Sequence, residues 1–285
     1  MLTLDIAIAT YKPDGIKRVG AMLLPPEDGV RYVVSWQEHE NYPIPVELSR
    51  REDINVYRCD QKGISNNRNN ALTHCKGDII LISDDDIIYK AGAFKSIVES
   101  FEKNSSMDFA IFRMKFPKTK NYPEDGSKIC LPFPKGYYGS AVEMAFRREK
   151  IGELKFWNGI GPGTEFLETG EDEFFLISAI KKGLDIRFID LEIGEHPSLS
   201  SGSKISAGIL RGQGYIIRQV YPYSFVLRIP LKAFRLWKHH RISIYKTLIP
   251  LFQGSLFVHP VYGVEKKAGS FLYMESRVKK NRTKK

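Results

Sequence analysis

Apolar and polar positions along the first hundred residues predict strands and helices in alternation. Residues 78–83, DIILIS, form a continuous apolar run, as is typical of a strand buried on both faces. Residues 91–104, AGAFKSIVESFEKN, have the period of an amphipathic helix. Strands that alternate with helices predict a mainly parallel sheet with crossover connections. Further strands are predicted at 4–10, 31–36 and 54–59.

The segment between the third and fourth strands, residues 63–77, is a weaker helix prediction because asparagine is a poor helix former. Ser65 is its expected N-cap and Gly77 its expected C-terminal stop. Residues 115–136 hold four prolines and predict a long loop, of the kind that often covers a functional site. After a glycine-rich turn, a helix is predicted at 171–183 and a strand at 185–190.

Positive charge is concentrated at the end of the chain. The 285 residues carry 43 Lys and Arg against 33 Asp and Glu, a net charge of +10. Residues 204–285 hold 17 of these cations and 2 of the acids, a net of +15, which leaves 26 cations and 31 acids, a net of −5, in residues 1–203. This shift predicts a folded body over 1–203 and a basic appendage over 204–285. A basic segment attracts nucleic acid, anionic lipid or an anionic substrate.

Features of secreted and membrane-spanning chains are weak in this sequence. The start, MLTLDIAIATYKPDG, does not resemble a signal peptide, and the apolar stretch at 244–258 is interrupted by Lys246 and Gln253. The three cysteines form no CxxC pair, which fits a reducing compartment. We therefore expect a protein that is not secreted.

Three aspartates, Asp84, Asp85 and Asp86, follow the predicted buried strand directly. In open parallel sheets, ligands bind beyond the carboxyl ends of the strands. Carboxylates at alternate positions across a turn can converge on Mg²⁺ or Mn²⁺, whose coordination is often completed by substrate phosphates. The alternative is a solvated acidic turn with no ligand, but the buried strand before the aspartates favours the metal.

Six ordered segments together resemble the family-two glycosyltransferases of the GT-A fold, which are inverting enzymes that use nucleotide sugars and often build bacterial surface polysaccharides. The resemblance covers roughly residues 4–197. The segments are IAIATYKP, KGISNNRNNAL (similar to the family pattern NxGxSxARNxAL), ILISDDDI, SAVEMAFRREKIG, GEDEFFLISAIKKG and EHP. The resemblance implies an α/β, Rossmann-like fold with a mixed, mainly parallel sheet. Residues 1 to about 110 would bind the nucleotide sugar, and residues 111–203 would face the acceptor.

The resemblance also implies roles for individual residues. Asp172 would be the general base and Glu171 would help to orient it; the alternative is that both acids only complement the dipole at the start of a helix. Asp86 would bind the metal directly, whereas Asp85 is expected to point away. The remaining implied contacts are Thr10 and Tyr11 with the nucleotide, Arg68 with the base or phosphates, Asp84 with the ribose or metal, and His196 with the metal or the diphosphate.

The second strand departs from the family pattern. Family members often end this strand with an aspartate cluster that recognises the base, but this chain has Ser35, Trp36 and Gln37 there. Trp36 either stacks on a base or packs in the core. The departure leaves the nucleotide undetermined among uridine, thymidine and guanosine.

The basic appendage contains a predicted amphipathic helix. Leu227, Leu231 and Phe234 share one face, with Arg228, Lys232, Arg235 and His239 beside it. This helix either lies in a membrane interface or packs in an ordinary core with a solvated cationic flank. Residues 278–285 are expected to form a disordered tail.

The resulting expectation is a cytoplasmic enzyme on the inner face of a bacterial membrane. It would use Mn²⁺ or Mg²⁺ to transfer a sugar from a nucleotide-diphosphate sugar to a lipid-linked glycan. Two alternatives are a nucleotidyl- or phosphotransferase that uses the same aspartates and a non-catalytic nucleic-acid binder that uses the basic tail. The absence of a GxxxxGK[ST] loop weighs against a P-loop phosphotransferase, and the negative body and absent binding motif argue against nucleic acid.

Overall fold

A mixed sheet of eight strands forms the centre of the chain in the computed structural model, which describes residues 1–40, 42–197, 205–240 and 242–257. Its order is β3-β2-β1-β4-β7-β6-β8-β5. The pairs β2–β3, β1–β2, β1–β4 and β6–β8 are parallel, while β7 runs antiparallel to both of its neighbours and β5 runs antiparallel to β8. The strands are β1 Leu4–Tyr11, β2 Val30–Gln37, β3 Ile54–Cys59, β4 Ile79–Asp84, β5 Ile88–Tyr89, β6 Phe109–Lys115, β7 Met144–Arg147 and β8 Ile186–Glu195.

Helices cover both faces of this sheet because alternate strand residues are apolar on both sides. One buried cluster includes Ile6, Trp36 and Phe94, and the other includes Ile80 and Phe175. The predicted α/β class with a mainly parallel sheet is confirmed. The helices are α1 Lys12–Met22, α2 Val46–Ser49, α3 Ile64–His74, α4 Ala93–Lys103, α5 Arg148–Ile151, α6 Glu171–Lys181, α7 Ala207–Val220, α8 Phe225–His240 and α9 Ile244–Ser255.

The two predicted end signals of α3 are wrong. Gly63 is the N-cap, with a φ of 98° that glycine adopts readily, and Cys75 follows the last turn. Ser65 is instead buried inside the first turn and donates a hydrogen bond to the carbonyl of Ile160. Gly77 lies beyond the helix, where its N–H donates to the buried carboxylate of Asp5. Ser65 therefore ties the start of α3 to the turn at Ile160, and the backbone of Gly77 ties the chain after the helix to β1.

The C-terminal helical region is confirmed and packs closely on the body through glycines. A Cβ on Gly212 would lie 2.1 Å from the carbonyl oxygen of Thr169, so α7 rests against the chain that leads into α6. Ser206 caps α7 and donates to the carboxylate of Glu168. None of the described helices combines the length and apolar character of a membrane-spanning helix. The predicted tail at 278–285 lies outside the described residues.

Candidate functional site

A cavity of about 710 Å³ opens where β1, β2 and β3 end. Open parallel sheets bind ligands at this position because loops diverge there and leave a crevice. Tyr11 at the end of β1 is half exposed and forms part of the wall. The other walls are the loop after β2, the loop between β3 and α3, and the turn at Pro162 and Gly163.

Strained backbone marks the loop after β2. Glu38 and Glu40 both have positive φ, 46° and 45°, a conformation that costs free energy in residues with a Cβ. Between them, His39 Nε2 lies 3.1 Å from Asp60 Oδ1, which belongs to the loop after β3. Both residues line the cavity. They give it an imidazole and an exposed carboxylate in hydrogen-bond contact.

Thr10 and Asp85 form a buried link between the ends of β1 and β4. The Thr10 hydroxyl donates to Asp85 Oδ2 at 2.6 Å, and Arg18 holds the same carboxylate with two hydrogen bonds. Burial raises the pKa of Asp85, and the hydrogen bonds from Thr10 and Arg18 oppose that effect. As expected, Asp85 is turned away from the other two aspartates, toward α1. Thr10 also lines the cavity.

Arg68 is the centre of the acidic part of the site. Its guanidinium is buried in α3, 2.5 Å from Asp172 Oδ1 and 3.1 Å from Asp84 Oδ1, and it lies over the ring of Phe156. Burial lowers the pKa of Arg68, but the charges of Asp172 and Asp84 outweigh that effect and raise it. Its Nε is buried and makes no hydrogen bond to the described residues.

Asp172 lies in the first turn of α6 and is fixed through both oxygens. Oδ1 contacts Arg68, and Oδ2 accepts a hydrogen bond of 2.9 Å from the backbone N–H of Ala141. Gly170, with a φ of 106°, is the N-cap that lets the chain turn into the helix. The side chain remains partly exposed, so an incoming hydroxyl has access to it.

The two acids beside Asp172 are partly buried, and both have a raised pKa. Burial, with the charge of Asp172 next, raises the pKa of Glu171 to about 8, and the same causes raise the pKa of Glu173 to about 7. The hydrogen bonds that orient Asp172 come from Arg68 and Ala141, not from the predicted helper Glu171. Glu171 packs instead against the glycine-rich turn at Gly161.

Only part of the predicted metal site comes together. His196 Nε2 lies 3.7 Å from Asp86 Oδ1, but the Asp84 carboxylate is held by Arg68. Among the described residues, no three His, Cys, Asp or Glu side chains are placed to hold a metal. An oxygen and a nitrogen donor from Asp86 and His196 nevertheless fit Mn²⁺, with the remaining positions left to phosphate oxygens and water.

The long loop before β7 is anchored by a buried ion pair. The Lys120 ammonium contacts the Glu143 carboxylate, and both side chains are buried. Tyr122 also contacts Glu143, at 2.5 Å. Glu143 ends a short 3-10 turn, Ala141–Glu143, whose first residue donates its backbone N–H to Asp172. The loop, which was predicted from its prolines, therefore supports the segment that orients Asp172.

Several residues at the cavity differ from the sequence-based prediction. Trp36 lies in the core, where its Nε1 donates to the carbonyl of Lys12, and it is not on the cavity wall. Gln37, Asp60 and Asn67 line the cavity but were not predicted. Their signal in the sequence was position: Gln37 ends a strand, Asp60 follows one, and Asn67 precedes Arg68 in α3.

Residues 35–159 match the family model described as glycosyl transferase family 2. The matched part contains Gln37, Asp60, Arg68 and the aspartate triplet, but it ends before Asp172. This match confirms the predicted resemblance. The search of curated proteins found no match for this chain.

Solved structures with the same fold include several of S. aureus TarS. The crystal structure of TarS 1–349 has a TM-score of 0.59 and 15% identity, with 89% of this chain and 81% of that chain covered. TarS 1–349 in complex with UDP-GlcNAc has a TM-score of 0.58 and 16% identity, with 85% and 74% covered. A mycobacterial protein has a TM-score of 0.52 and 15% identity, with 77% and 75% covered. At these identities the likeness shows the fold, and the predicted GT-A class is confirmed.

Proposed function

We propose that this chain, which the family match and the fold support as a family-two glycosyltransferase, transfers a sugar from a nucleotide-diphosphate sugar to a hydroxyl group with inversion. The observation that carries the proposal is the single buried Arg68, which contacts both Asp84 and Asp172. Arg68 thereby holds Asp84, which would bind the donor, close to Asp172, which would be the general base.

The cavity at the ends of β1, β2 and β3 would bind the nucleoside. Asp60 and His39 offer a hydrogen-bond acceptor and a ring nitrogen at its wall, and Asn67 has a buried carbonyl oxygen with no hydrogen bond to the described residues. A uracil presents both donors and acceptors on one edge, which suits this mixed set. One of the TarS structures of the same fold contains UDP-GlcNAc. We therefore infer a UDP-sugar as the first donor to test.

Asp172 would accept the proton of the attacking hydroxyl. Its carboxylate is partly exposed, while Arg68 and the Ala141 N–H fix its orientation. A positioned carboxylate contributes about 10²–10⁴-fold to such a step. A covalent sugar–enzyme intermediate would need a second carboxylate that attacks the sugar. We assign only one carboxylate, Asp172, to the chemical step, and it acts as a base. The acceptor hydroxyl therefore displaces the diphosphate in a single step, which inverts the anomeric carbon.

Asp86 and His196 would hold a divalent cation, Mn²⁺ or Mg²⁺, beside the donor diphosphate. When bound, such an ion neutralises the charge that develops on the departing diphosphate. Arg68 supplies a second positive charge in the same region, where Asp84 and Asp172 hold it.

The proposed acceptor is a lipid-linked glycan in surface or capsular polysaccharide synthesis. The support is the family resemblance together with the cationic C-terminal helices, which carry no acid over residues 205–257. A protein that extends a lipid-linked glycan has to work next to an anionic bilayer surface.

The decisive experiment separates donor binding from transfer. Thermal unfolding with Mn²⁺ and UDP, TDP or GDP identifies the nucleotide, because a ligand of the native state raises the Tm. Nucleoside diphosphate release and the anomer of the product are then measured with a membrane extract as acceptor. We expect the Asp172→Asn variant to bind the donor like the wild type and to lose about 10²–10⁴-fold in kcat.

Glu173→Gln is the matched control, because it changes a partly buried acid of the same helical turn, whereas the hydrogen bonds from Arg68 and the Ala141 N–H go to Asp172. It should keep most of the activity. Equal transfer by Asp172→Asn and the wild type would exclude Asp172 as the base. Release of inorganic pyrophosphate in place of a nucleoside diphosphate would instead show nucleotidyl transfer.

A further inference from the structure

Helix α8 leaves one apolar face outside the core. Ile229 and Ala233 are buried and pack against α7 and α9. Leu227, Leu231 and Phe234 are 70%, 57% and 50% exposed. At 100° per residue these three positions lie within a sector of about 60°, so their exposed side chains form one continuous stripe along the helix.

The exposed stripe is too regular to be scattered surface apolar residues. Trp237 contacts Phe234 at a ring distance of 5.5 Å and extends the stripe by one turn. A second row lies on α9 and its C-cap, where Tyr245, Ile249 and the capping Leu256 are exposed at near-helical spacing. Contiguous apolar surface on a soluble fold marks an interaction site.

Positive charge borders the stripe and no negative charge offsets it. Arg235 and Lys238 are exposed on α8 beside the apolar residues, and Arg228 lies on the same flank. Residues 205–257 contain eight Lys and Arg and no Asp or Glu. A protein partner normally offers both signs, whereas an anionic bilayer offers apolar depth and uniform negative charge.

We infer that the exposed face of α8 docks this protein on an anionic lipid surface. The stripe of Leu227, Leu231 and Phe234 enters the boundary between headgroups and acyl chains, and Arg235 and Lys238 contact the headgroups. The helix lies in the plane of the surface because its opposite face is held by α7 and α9. This docking does not depend on the donor or on the reaction, so it stands or falls separately from the proposed activity.

Co-sedimentation of the full chain with vesicles tests the inference. Vesicles of phosphatidylcholine alone are compared with vesicles that contain about 30 mol% phosphatidylglycerol, at low and high salt, because headgroup attraction is screened by salt. We expect wild-type binding to the anionic vesicles only. The triple substitution Leu227→Ser, Leu231→Ser, Phe234→Ser should lower the partition coefficient at least about tenfold. Arg235→Gln with Lys238→Gln should lower it and reduce its salt dependence.

Two controls make the result specific. Val46→Ser removes an exposed apolar side chain of the body, and Lys95→Gln with Lys150→Gln removes two exposed cations there. Both should bind vesicles like the wild type. The Tm and the nucleotide-induced shift of the triple variant should equal those of the wild type, since its changes lie outside the core.

Three outcomes would overturn the inference. The first is a wild-type protein that stays in the supernatant when anionic vesicles are pelleted at low salt. The second is a triple variant that sediments with the vesicles like the wild type, which would assign binding to another segment, such as residues 258–285. The third is a wild type that binds no vesicles and is a dimer in sedimentation velocity, with a monomeric triple variant, which would make the stripe a contact between two copies of the chain.

Discussion

Arg68 Nη1 lies 2.5 Å from Asp172 Oδ1, although 104 residues separate the two in sequence. The same guanidinium contacts Asp84 through Nη2. One buried cation therefore fixes the relative position of α3, the end of β4 and the start of α6. The half of the site that would bind the donor and the half that would face the acceptor meet at this side chain.

Removing this cation should affect stability and catalysis together. Arg68→Gln leaves two partly buried carboxylates without their partner. Breaking a fully buried ion pair costs on the order of 3–5 kcal/mol of unfolding free energy. We expect a smaller loss for Arg68→Gln, because Asp84 and Asp172 are partly exposed. A double-mutant cycle with Asp172→Asn, measured by urea unfolding, should give a coupling of about 1–3 kcal/mol. Additive effects of the two changes would show that the contact is energetically unimportant.

Arg68→Lys is the sharper test of geometry. Lysine keeps the positive charge but cannot hold two carboxylates with a planar fork. We expect this variant to keep most of the stability that Arg68→Gln loses, and to lose about tenfold or more in kcat because Asp172 is no longer fixed. If Arg68→Lys has the kcat of the wild type, a positive charge at this position is sufficient to orient Asp172 and the planar fork of arginine is not needed.

The strands β1 to β4 could be predicted closely because they are rich in apolar residues and end at polar ones, whereas β5, β6 and β7 were not predicted. β3 spans the predicted residues Ile54–Cys59, and β4 is displaced by one residue from its prediction. The contact of Arg68 with Asp172 could not be predicted from periodicity, because it depends on how distant segments cross the sheet. Trp36 illustrates the same limit: a tryptophan at a strand end has the same sequence pattern whether it faces a ligand or the core.

The apolar stripe of α8 shows a further ambiguity of sequence patterns. Leu227, Leu231 and Phe234 have the spacing of a core-facing stripe, yet the core lies on the side of Ile229 and Ala233. An amphipathic pattern gives the period of a buried face but not its direction when both sides of a helix are apolar. Packing against α7 and α9 decides which side is buried.

Stability should fall as the pH rises from acidic to neutral because of Glu171 and Glu173. Burial raises their pKa values to about 8 and about 7, above the 4.5 of the unfolded chain, so the native state binds more protons than the unfolded state between these values. Unfolding free energy then decreases with pH by up to about 1.4 kcal/mol per unit and per group. Glu173→Gln should flatten this slope in urea unfolding at pH 5, 6 and 7. If the unfolding free energy of Glu173→Gln depends on pH as strongly as that of the wild type, the pKa of Glu173 is not raised in the native state.

Close packing of α7 on α9 should be intolerant of a single methyl group. A Cβ on Gly254 would lie 1.8 Å from the carbonyl oxygen of Arg211, and one on Gly214 would lie 1.9 Å from that of Leu251. Backbone atoms cannot rotate away, so Gly254→Ala should cost about 1–3 kcal/mol or separate the helices. Gly20→Ala in α1 is the control, because the nearest atom to its Cβ would be the Cγ of Glu47 in α2, at 3.5 Å. Equal Tm values for both variants would exclude tight packing.

The buried pair of Lys120 and Glu143 should matter for catalysis through Ala141. Lys120→Met leaves a buried carboxylate unpaired, which costs about 3–5 kcal/mol, while the double change Lys120→Met, Glu143→Gln should recover most of that loss. In the double variant we expect a lower kcat with an unchanged Kd for the nucleotide, since only the segment that binds Asp172 is loosened. A changed Kd with normal kcat would place the effect at the donor cavity instead.

Metal dependence should separate Asp86 and His196 from their neighbour Asp85. Asp86 and His196 lie 3.7 Å apart and would share the ion, so Asp86→Asn and His196→Gln should each raise the Mn²⁺ concentration for half-maximal activity by about 10–100-fold. Asp85 is bound to Thr10 and Arg18, so Asp85→Asn should lower the Tm without changing the Mn²⁺ requirement. Transfer assays after EDTA treatment, with Mn²⁺ or Mg²⁺ added back, measure this directly. If the EDTA-treated wild type keeps full activity, these two residues serve another purpose, and Arg68 is then the cation that faces the diphosphate.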